Sequence, residues 1–364
     1  PALKRIVEIL GEVRYINEIV ISLDQASALE FRLAKQFFCQ LPQRVRVVWN
    51  DGTRIQALLN TLVSNEIDIG HQGKGRGCWT AYGYVLARGQ SQVIALHDCD
   101  IVSYDRQYLA RLCYPVANPN LAYEFCKGYY SRVTDRMHGR VTRLFITPLI
   151  RSLQLLVGPH PLLSFLDSFR YPLAGEFAMV RDLAWINRIP GDWGLEIGML
   201  AEVYRNCALR RICQADIADA YEHKHQTLST HNPDAGLLKM CVDITKSLFR
   251  NLASEGLVLS ESTLKTLRAT YIQAAQEAIS RYENDAAINS LRFDRHEERR
   301  AVEVFLRGMT LATDSFLGDP LGVPMISNWS RVTHAVPDIF HRLMDAVEQD
   351  HAWDPTAETR QPIS

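Results

Sequence analysis

Asp98-Cys99-Asp100 follows directly on the apolar run Val93-Ile94-Ala95-Leu96. Residues two apart in an extended chain face the same side, so this spacing sets two carboxylates together at the carboxyl end of a strand. Two hard oxygen donors suit Mg²⁺ or Mn²⁺ shared with the phosphates of a substrate. A solvated acidic turn has the same spacing. Gly73-Lys74-Gly75-Arg76-Gly77 opens a helical stretch. Glycines admit a phosphate close to the backbone, a helix N-terminus favours anions, and Lys74 adds a point charge. The segment is not a P-loop, because Gly75 stands where Ser or Thr is needed. Nor is it a dinucleotide fingerprint, because its third glycine comes too early. An ordinary glycine-rich loop is the alternative.

Gly139-Arg140-Val141-Thr142-Arg143 precedes a helical stretch from Leu144 to Leu155, with Arg132 and Arg136 nearby. An arginine, a hydroxyl and free backbone N–H groups at a helix start make a phosphate or carboxylate clamp; a basic first turn reads the same way. In Tyr221-Glu222-His223-Lys224-His225 either histidine can complete a metal site, and the pair also suits zinc. Glu176 in Pro172-Leu173-Ala174-Gly175-Glu176-Phe177 and Glu196 in Gly191-Asp192-Trp193-Gly194-Leu195-Glu196-Ile197-Gly198 lie among apolar residues. A carboxylate there is costly unless paired or bound to something. Both are candidates for sugar hydroxyls or for capping backbone amides.

These motifs need elements to hold them. Apolar spacing predicts an opening helix with Leu3, Ile6, Val7 and Leu10, and a strand over Ile19 to Leu23. A helix over Ala26 to Leu41 and a strand over Arg44 to Trp49 follow, then a helix, the Gly73 segment with a helix to Arg88, and the strand from Val93. The alternation predicts an α/β sheet with a parallel part, whose ligands sit beyond the strands' carboxyl ends. After Thr230 the pattern turns helical. Asn232-Pro233 reads as a helix start. Stripes run through Leu238 to Leu252, Leu264 to Tyr282 and residues 295–312, and a last short helix spans His341 to Val347. The predicted division is a catalytic domain over 1–230, a helical region over 231–330, and a short helix with a flexible tail over 331–364.

Bulk properties bound the function. With 364 residues and 47% apolar composition, a sizeable core can form. The 40 basic and 41 acidic residues leave a net charge of -1 and no basic stripe, which argues against nucleic acid. No apolar run approaches the ~18 residues of a membrane span, and no signal peptide is visible. The eight cysteines form no CxxC pair and sit mostly in apolar runs, so reduced, buried thiols in a cytoplasmic protein are expected.

Taken in order from Ile19 to Leu228, the segments GKG, DxD, GRVT, P-L-x-G-E, G-x-E-I-G and a late His resemble retaining glycosyltransferases of family 81, the glucosyl- and mannosyl-3-phosphoglycerate synthases. The resemblance implies a GT-A fold, a Rossmann-like mixed sheet with a C-terminal helical region. It implies that Gly73 and Lys74 contact a nucleotide-sugar, and that Asp98 and Asp100 bind ribose and metal with His223 completing the metal site. Gly139, Arg140 and Thr142 would hold 3-phosphoglycerate. Leu173 would lie by the reacting carbon through its backbone, and Glu196 would bind the transferred sugar. His225 stands where some relatives carry an acceptor-binding Asn. Relatives open with a strand and loop that hold the nucleobase, and the resemblance implies that this sequence starts after that element.

The expected activity is retaining transfer of a hexose, glucose first, from a nucleotide-sugar to 3-phosphoglycerate, with Mg²⁺ or Mn²⁺ and in a homodimer. Mannose as the sugar, or another small acid as the acceptor, is the nearest alternative. A metal hydrolase built on His223, His225 and Asp98, and a non-catalytic nucleotide-sugar-binding protein, are the readings from other classes.

Overall fold

The computed structural model describes residues 2–218, 236–323 and 325–352. Helix α1 (Ala2–Glu12) buries Ile6, Val7 and Leu10, the stripe its spacing predicts. Strand β1 (Glu18–Leu23) and strand β2 (Arg44–Trp49) flank α2 (Ala28–Phe38). The latter starts two residues later than the apolar pattern suggests. Ser27 caps it by accepting from the Glu30 amide, and Glu30 accepts from the Ser27 amide in return. Then come α3 (Thr53–Ser64), α4 (Lys74–Arg88), β3 (Val93–Leu96), α5 (Arg106–Ala117) and β4 (Phe125–Tyr130). A π-helical turn over Val141–Ile146 leads into α6 (Thr147–Val157), followed by α7 (Pro161–Asp167), β5 (Phe177–Val180), α8 (Arg181–Ile186), α9 (Leu195–Asn206) and β6 (Ile212–Ala218).

Strands β1 and β2 pair in parallel, with Ser22 opposite Val48. The other four take the order β3-β5-β4-β6: β5 is antiparallel to both neighbours, and β4 is parallel to β6. Among the described residues β1 pairs with β2 alone and β3 with β5 alone. One core contains Ile55, Leu59, Trp79, Phe125, Phe145, Phe177 and most of α9; a smaller one, with Ile6, Leu10, Tyr104, Tyr108 and Ile217, packs α1 and α5 on the sheet.

Helices α10 (Gly236–Ser254), α11 (Glu261–Ile288) and α12 (Arg295–Gly318) pack on the π turn and on α6, and the Tyr271 hydroxyl donates to the Leu144 carbonyl at 2.9 Å. The apolar stripe of α12 continues past 312 to Phe316, so the helix runs to Gly318. Helices α13 (Trp329–Ala335) and α14 (Ile339–Ala352) return to the α/β layer. Trp329 stacks on Trp79 at 4.1 Å, and its indole N–H donates to the Trp79 carbonyl at 3.0 Å. Arg46 and Arg44 of β2 both pair with Glu348. The last helix is therefore longer than the segment His341 to Val347, because its inward face is bound along its length. All eight thiols are free; four are buried, but Cys39 and Cys99 are exposed, against the expectation that most would be buried. Among the described residues no helix is long and apolar enough to cross a membrane.

Candidate active site

Helix α4 begins where three segments meet. Gly73 is its cap, and the chain of Pro190 and Gly191 crosses directly over its first turn. A Cβ on Gly75 would lie 1.8 Å from the Pro190 carbonyl oxygen. Gly73 and Gly75 thus have a packing reason beyond any approach of phosphate: they let the loop before α9 lie on α4, while Gly77 makes room for Ser22 and Asn50. That loop delivers Glu196 to Lys74. The Lys74 ammonium sits 3.0 Å from Glu196 Oε1 and 2.9 Å from Asp98 Oδ1, with the Trp193 ring 6.0 Å away. Burial works to lower this ammonium. The charges of Glu196 and Asp98 outweigh it and hold Lys74 well above the ordinary lysine value.

Asp98 lies just past the end of β3, as its position after an apolar run predicts. Asp100 is exposed. Asp98 and Asp100 are carboxylate donors of the kind a hard divalent cation takes, the first ion-paired with Lys74 and the second exposed. Among the described residues no cluster of three His, Cys, Asp or Glu side chains could hold a metal. His223 and His225 lie outside the described residues, so the expected third ligand and the acceptor contact of His225 are not placed.

The segment before β5 joins two parts of the site. At one end, a Cβ on Gly175 would lie 2.7 Å from Asp98 Oδ2, so the missing side chain lets backbone meet the carboxylate. At the other, Tyr171 accepts from Arg132 at 2.8 Å and lies beside Gly139. Leu173 stands between them. Gly139 takes φ +74°, the left-handed turn that starts the π-helical segment. In that segment Thr142 is buried, and its Oγ1 has no hydrogen-bond partner among the described residues.

Arg140 is not a bare cation awaiting an acid. Its Nε donates to Glu298 Oε1 at 2.7 Å and its Nη2 to Glu297 Oε2 at 2.6 Å. Glu298, nearly fully buried, also accepts from Arg143 at 3.0 Å. The two arginines are thus oriented by α12, about 155 residues downstream. Glu176 is fully buried and accepts from the Tyr130 hydroxyl at 3.0 Å, which makes it an anchor of backbone rather than a contact for sugar. Two cavities, of about 470 and 320 Å³, lie elsewhere; neither is lined by Lys74, Asp98 or Arg140. The candidate site is the region where the start of α4, the end of β3 and the segment leading to the π turn come together.

No protein-family model matches the chain. It is 48% identical to glucosyl-3-phosphoglycerate synthase of Persephonella marina over 354 residues, which is 97% of this chain and 88% of that protein. The chain belongs to the glucosyl-3-phosphoglycerate synthase family. As a member it is a hexosyltransferase. The synthase of Methanococcoides burtonii is 41% identical over 355 residues, 96% of this chain and 86% of that one. A mycobacterial protein of known structure superposes with a TM-score of 0.50 at 21% identity, over 69% of this chain and 70% of that one. That likeness concerns the fold, the mixed α/β GT-A arrangement with C-terminal helices. A Mycobacterium tuberculosis glucosyl-3-phosphoglycerate synthase, solved with Mn²⁺, UDP and glucosyl-3-phosphoglycerate, covers 71% of this chain and 77% of its own at 20% identity and a TM-score of 0.49.

Sequence reasoning named Lys74, Asp98 and Glu196 as candidates, and these side chains are in contact. It also located Gly139, Arg140 and Thr142, which share one turn. It missed Glu297 and Glu298, which lie among ordinary helix charges. It also missed Lys127, whose one signal was a lysine inside the strand Phe125-Cys126-Lys127-Gly128-Tyr129-Tyr130.

Proposed function

We propose that this synthase transfers glucose from a nucleoside diphosphate glucose to the hydroxyl of 3-phosphoglycerate, with retention of configuration. The observation that carries the reading is the segment Tyr171–Gly175. It abuts the Lys74–Asp98 pair at one end and the Gly139 turn at the other, so donor and acceptor groups bound at those places would meet over Leu173.

In this reading Gly73 and Lys74 bind the donor diphosphate, and the Lys74 ammonium offsets the charge that develops as the diphosphate leaves. Glu196, fixed by Lys74, accepts from sugar hydroxyls. Gly139, Arg140 and Thr142 hold the acid, with Arg140 kept in place by Glu298. Leu173 faces the anomeric carbon through its backbone. Asp98 and Asp100, with His223, would hold Mg²⁺ or Mn²⁺, which when bound neutralises the diphosphate. The acceptor oxygen forms its bond to the anomeric carbon on the face from which the diphosphate departs. The bond from that carbon to the diphosphate oxygen breaks, and the acceptor's proton passes to that oxygen. Same-face attack is favoured because Glu196 is ion-paired and Glu176 is buried against Tyr130, leaving neither as a free nucleophile. His225 is assigned to the acceptor, and the homodimer to the C-terminal helices, with light scattering as its measurement.

A coupled nucleotide-release assay tests the reading, with uridine, adenosine and guanosine diphosphate glucose and their mannose counterparts, with and without 3-phosphoglycerate, and with Mg²⁺ or chelator. Release from a glucose donor that needs both acceptor and metal supports it. Release without acceptor, or from mannose donors alone, refutes it.

A further inference from the structure

Lys127 is the third residue of β4 and one of the largest fully buried side chains, with 1% of its surface exposed. An ammonium in that position is expensive unless something compensates it. Its Nζ donates to the Ala174 carbonyl at 2.5 Å and lies 5.5 Å from the centre of the Phe177 ring. Burial outweighs the charges of Glu196 and Glu176 and brings this ammonium down from 10.5 to about 8, which leaves it mostly protonated at neutral pH. The lysine lies against the peptide that precedes Gly175, whose backbone meets Asp98, yet none of the binding roles above falls to it.

What it holds explains its retention. Leu173, Ala174 and Gly175 precede β5 and make no ladder hydrogen bonds. The Ala174 amide donates to the Tyr171 carbonyl at 3.2 Å, and the Gly128 amide donates to the Glu176 carbonyl at 2.9 Å. Tyr130 donates to the Glu176 carboxylate, and Lys127 clamps Ala174 from below. The lysine bond and the Tyr130–Glu176 bond are both charge-assisted, and such bonds are roughly twice as strong as neutral ones; the lysine bond is the one that holds the Ala174 carbonyl itself. The clamped peptide lies between Leu173 and the Gly175 backbone that touches Asp98.

We infer that Lys127 is a positioning residue for glucosyl transfer: through the Ala174 carbonyl it sets the height of the Leu173–Gly175 backbone between the donor groups and the acceptor turn. This rests on the proposed placement of the reacting carbon over Leu173. A displacement of about 1 Å in such a support costs about 100-fold in rate.

The test compares the parent protein with Lys127→Met, Lys127→Gln and Tyr130→Phe in the same nucleotide-release assay, with melting temperature measured alongside. Methionine keeps the length and removes the donor; glutamine restores a donor without charge. The expected result is a loss of kcat in Lys127→Met of about 30-fold or more per folded molecule, with the donor KM within about threefold, and partial recovery in Lys127→Gln. A purely structural lysine would lower the melting temperature and leave kcat per folded molecule unchanged, and that outcome overturns the inference. If Lys127→Met does not fold, Tyr130→Phe decides. Loss of one hydroxyl should lower kcat several-fold by loosening the same backbone, and an unchanged kcat overturns the inference. Inactivity of the parent with every donor would instead refute the proposed function.

Discussion

Replacing Lys74 by methionine separates the two things this lysine does. Its ammonium lies 2.9 Å from Asp98 and 3.0 Å from Glu196, and the Glu196 side chain is 8% exposed. Removing it leaves two carboxylates without their shared cation. Breaking a buried pair costs about 3–5 kcal/mol. Lys74 and Asp98 are 23% and 34% exposed, so water recovers part of that, and about 2–3 kcal/mol is the working figure. At about 2.1 cal/mol/K of unfolding entropy per residue, that is a fall in Tm of roughly 3–4 °C for this length. Catalysis should suffer far more, because the ammonium also faces the departing diphosphate. Loss of one such electrostatic group costs about 100- to 1,000-fold in kcat. Adding Glu196→Gln to Lys74→Met removes one unpaired charge and should return much of the Tm while activity stays lost. Calorimetry and nucleotide release on the same preparations give both numbers. A Lys74→Met enzyme with kcat within tenfold of the parent would refute the donor role. A double variant no more stable than the single would refute the account of its stability.

Other substitutions read other parts of the site. Glu298→Gln weakens the grip on Arg140 and Arg143; charge-assisted bonds are worth about 1.5–3 kcal/mol, so KM for 3-phosphoglycerate should rise about tenfold or more while the donor KM holds. Gly175→Ala sets a methyl 2.7 Å from the Asp98 carboxylate. Steady-state assays should show a loss of about tenfold or more in kcat/KM for the donor, with a Tm close to the parent's. Burial alone would raise the Glu348 carboxyl, but hydrogen bonds from Arg46 and Tyr84 and the charges of Arg46 and Arg44 bring it from 4.5 to about 2. A depressed carboxyl contributes stability that is present above its unfolded value and lost as pH falls through the folded one. The parent's Tm should therefore decline between about pH 4.5 and pH 2 more steeply than that of Glu348→Gln, and parallel curves would refute the pairing.

Much of the candidate site was legible because its signals are local. An apolar run followed by Asp98-Cys99-Asp100 reports a strand end and carboxylates together, whatever the rest of the chain does. Gly73 to Gly77 reports backbone open to a phosphate, while the packing of Pro190 and Gly191 on Gly73 and Gly75 can be seen only in the fold. The boundary errors have the same origin. The cap at Ser27 and the extension of α12 to Gly318 depend on which side-chain oxygen or which facing stripe is present, while hydrophobic spacing reports only the middle of a helix.

The sequence by itself determined the α/β character, the order of the chemical motifs and the residue types at strand and helix ends. These depend on periodicity and on neighbours within a turn. The tertiary structure alone decided which charges meet. Glu298 reaches Arg140 across 158 positions, and Lys74 reaches Glu196 across 122. Burial, too, was decided there. Lys127 reads as an ordinary lysine until Phe177 and Ala174 close over it. The cost of a buried charge, and the partner that offsets it, come from the whole packed arrangement and not from the residues on either side.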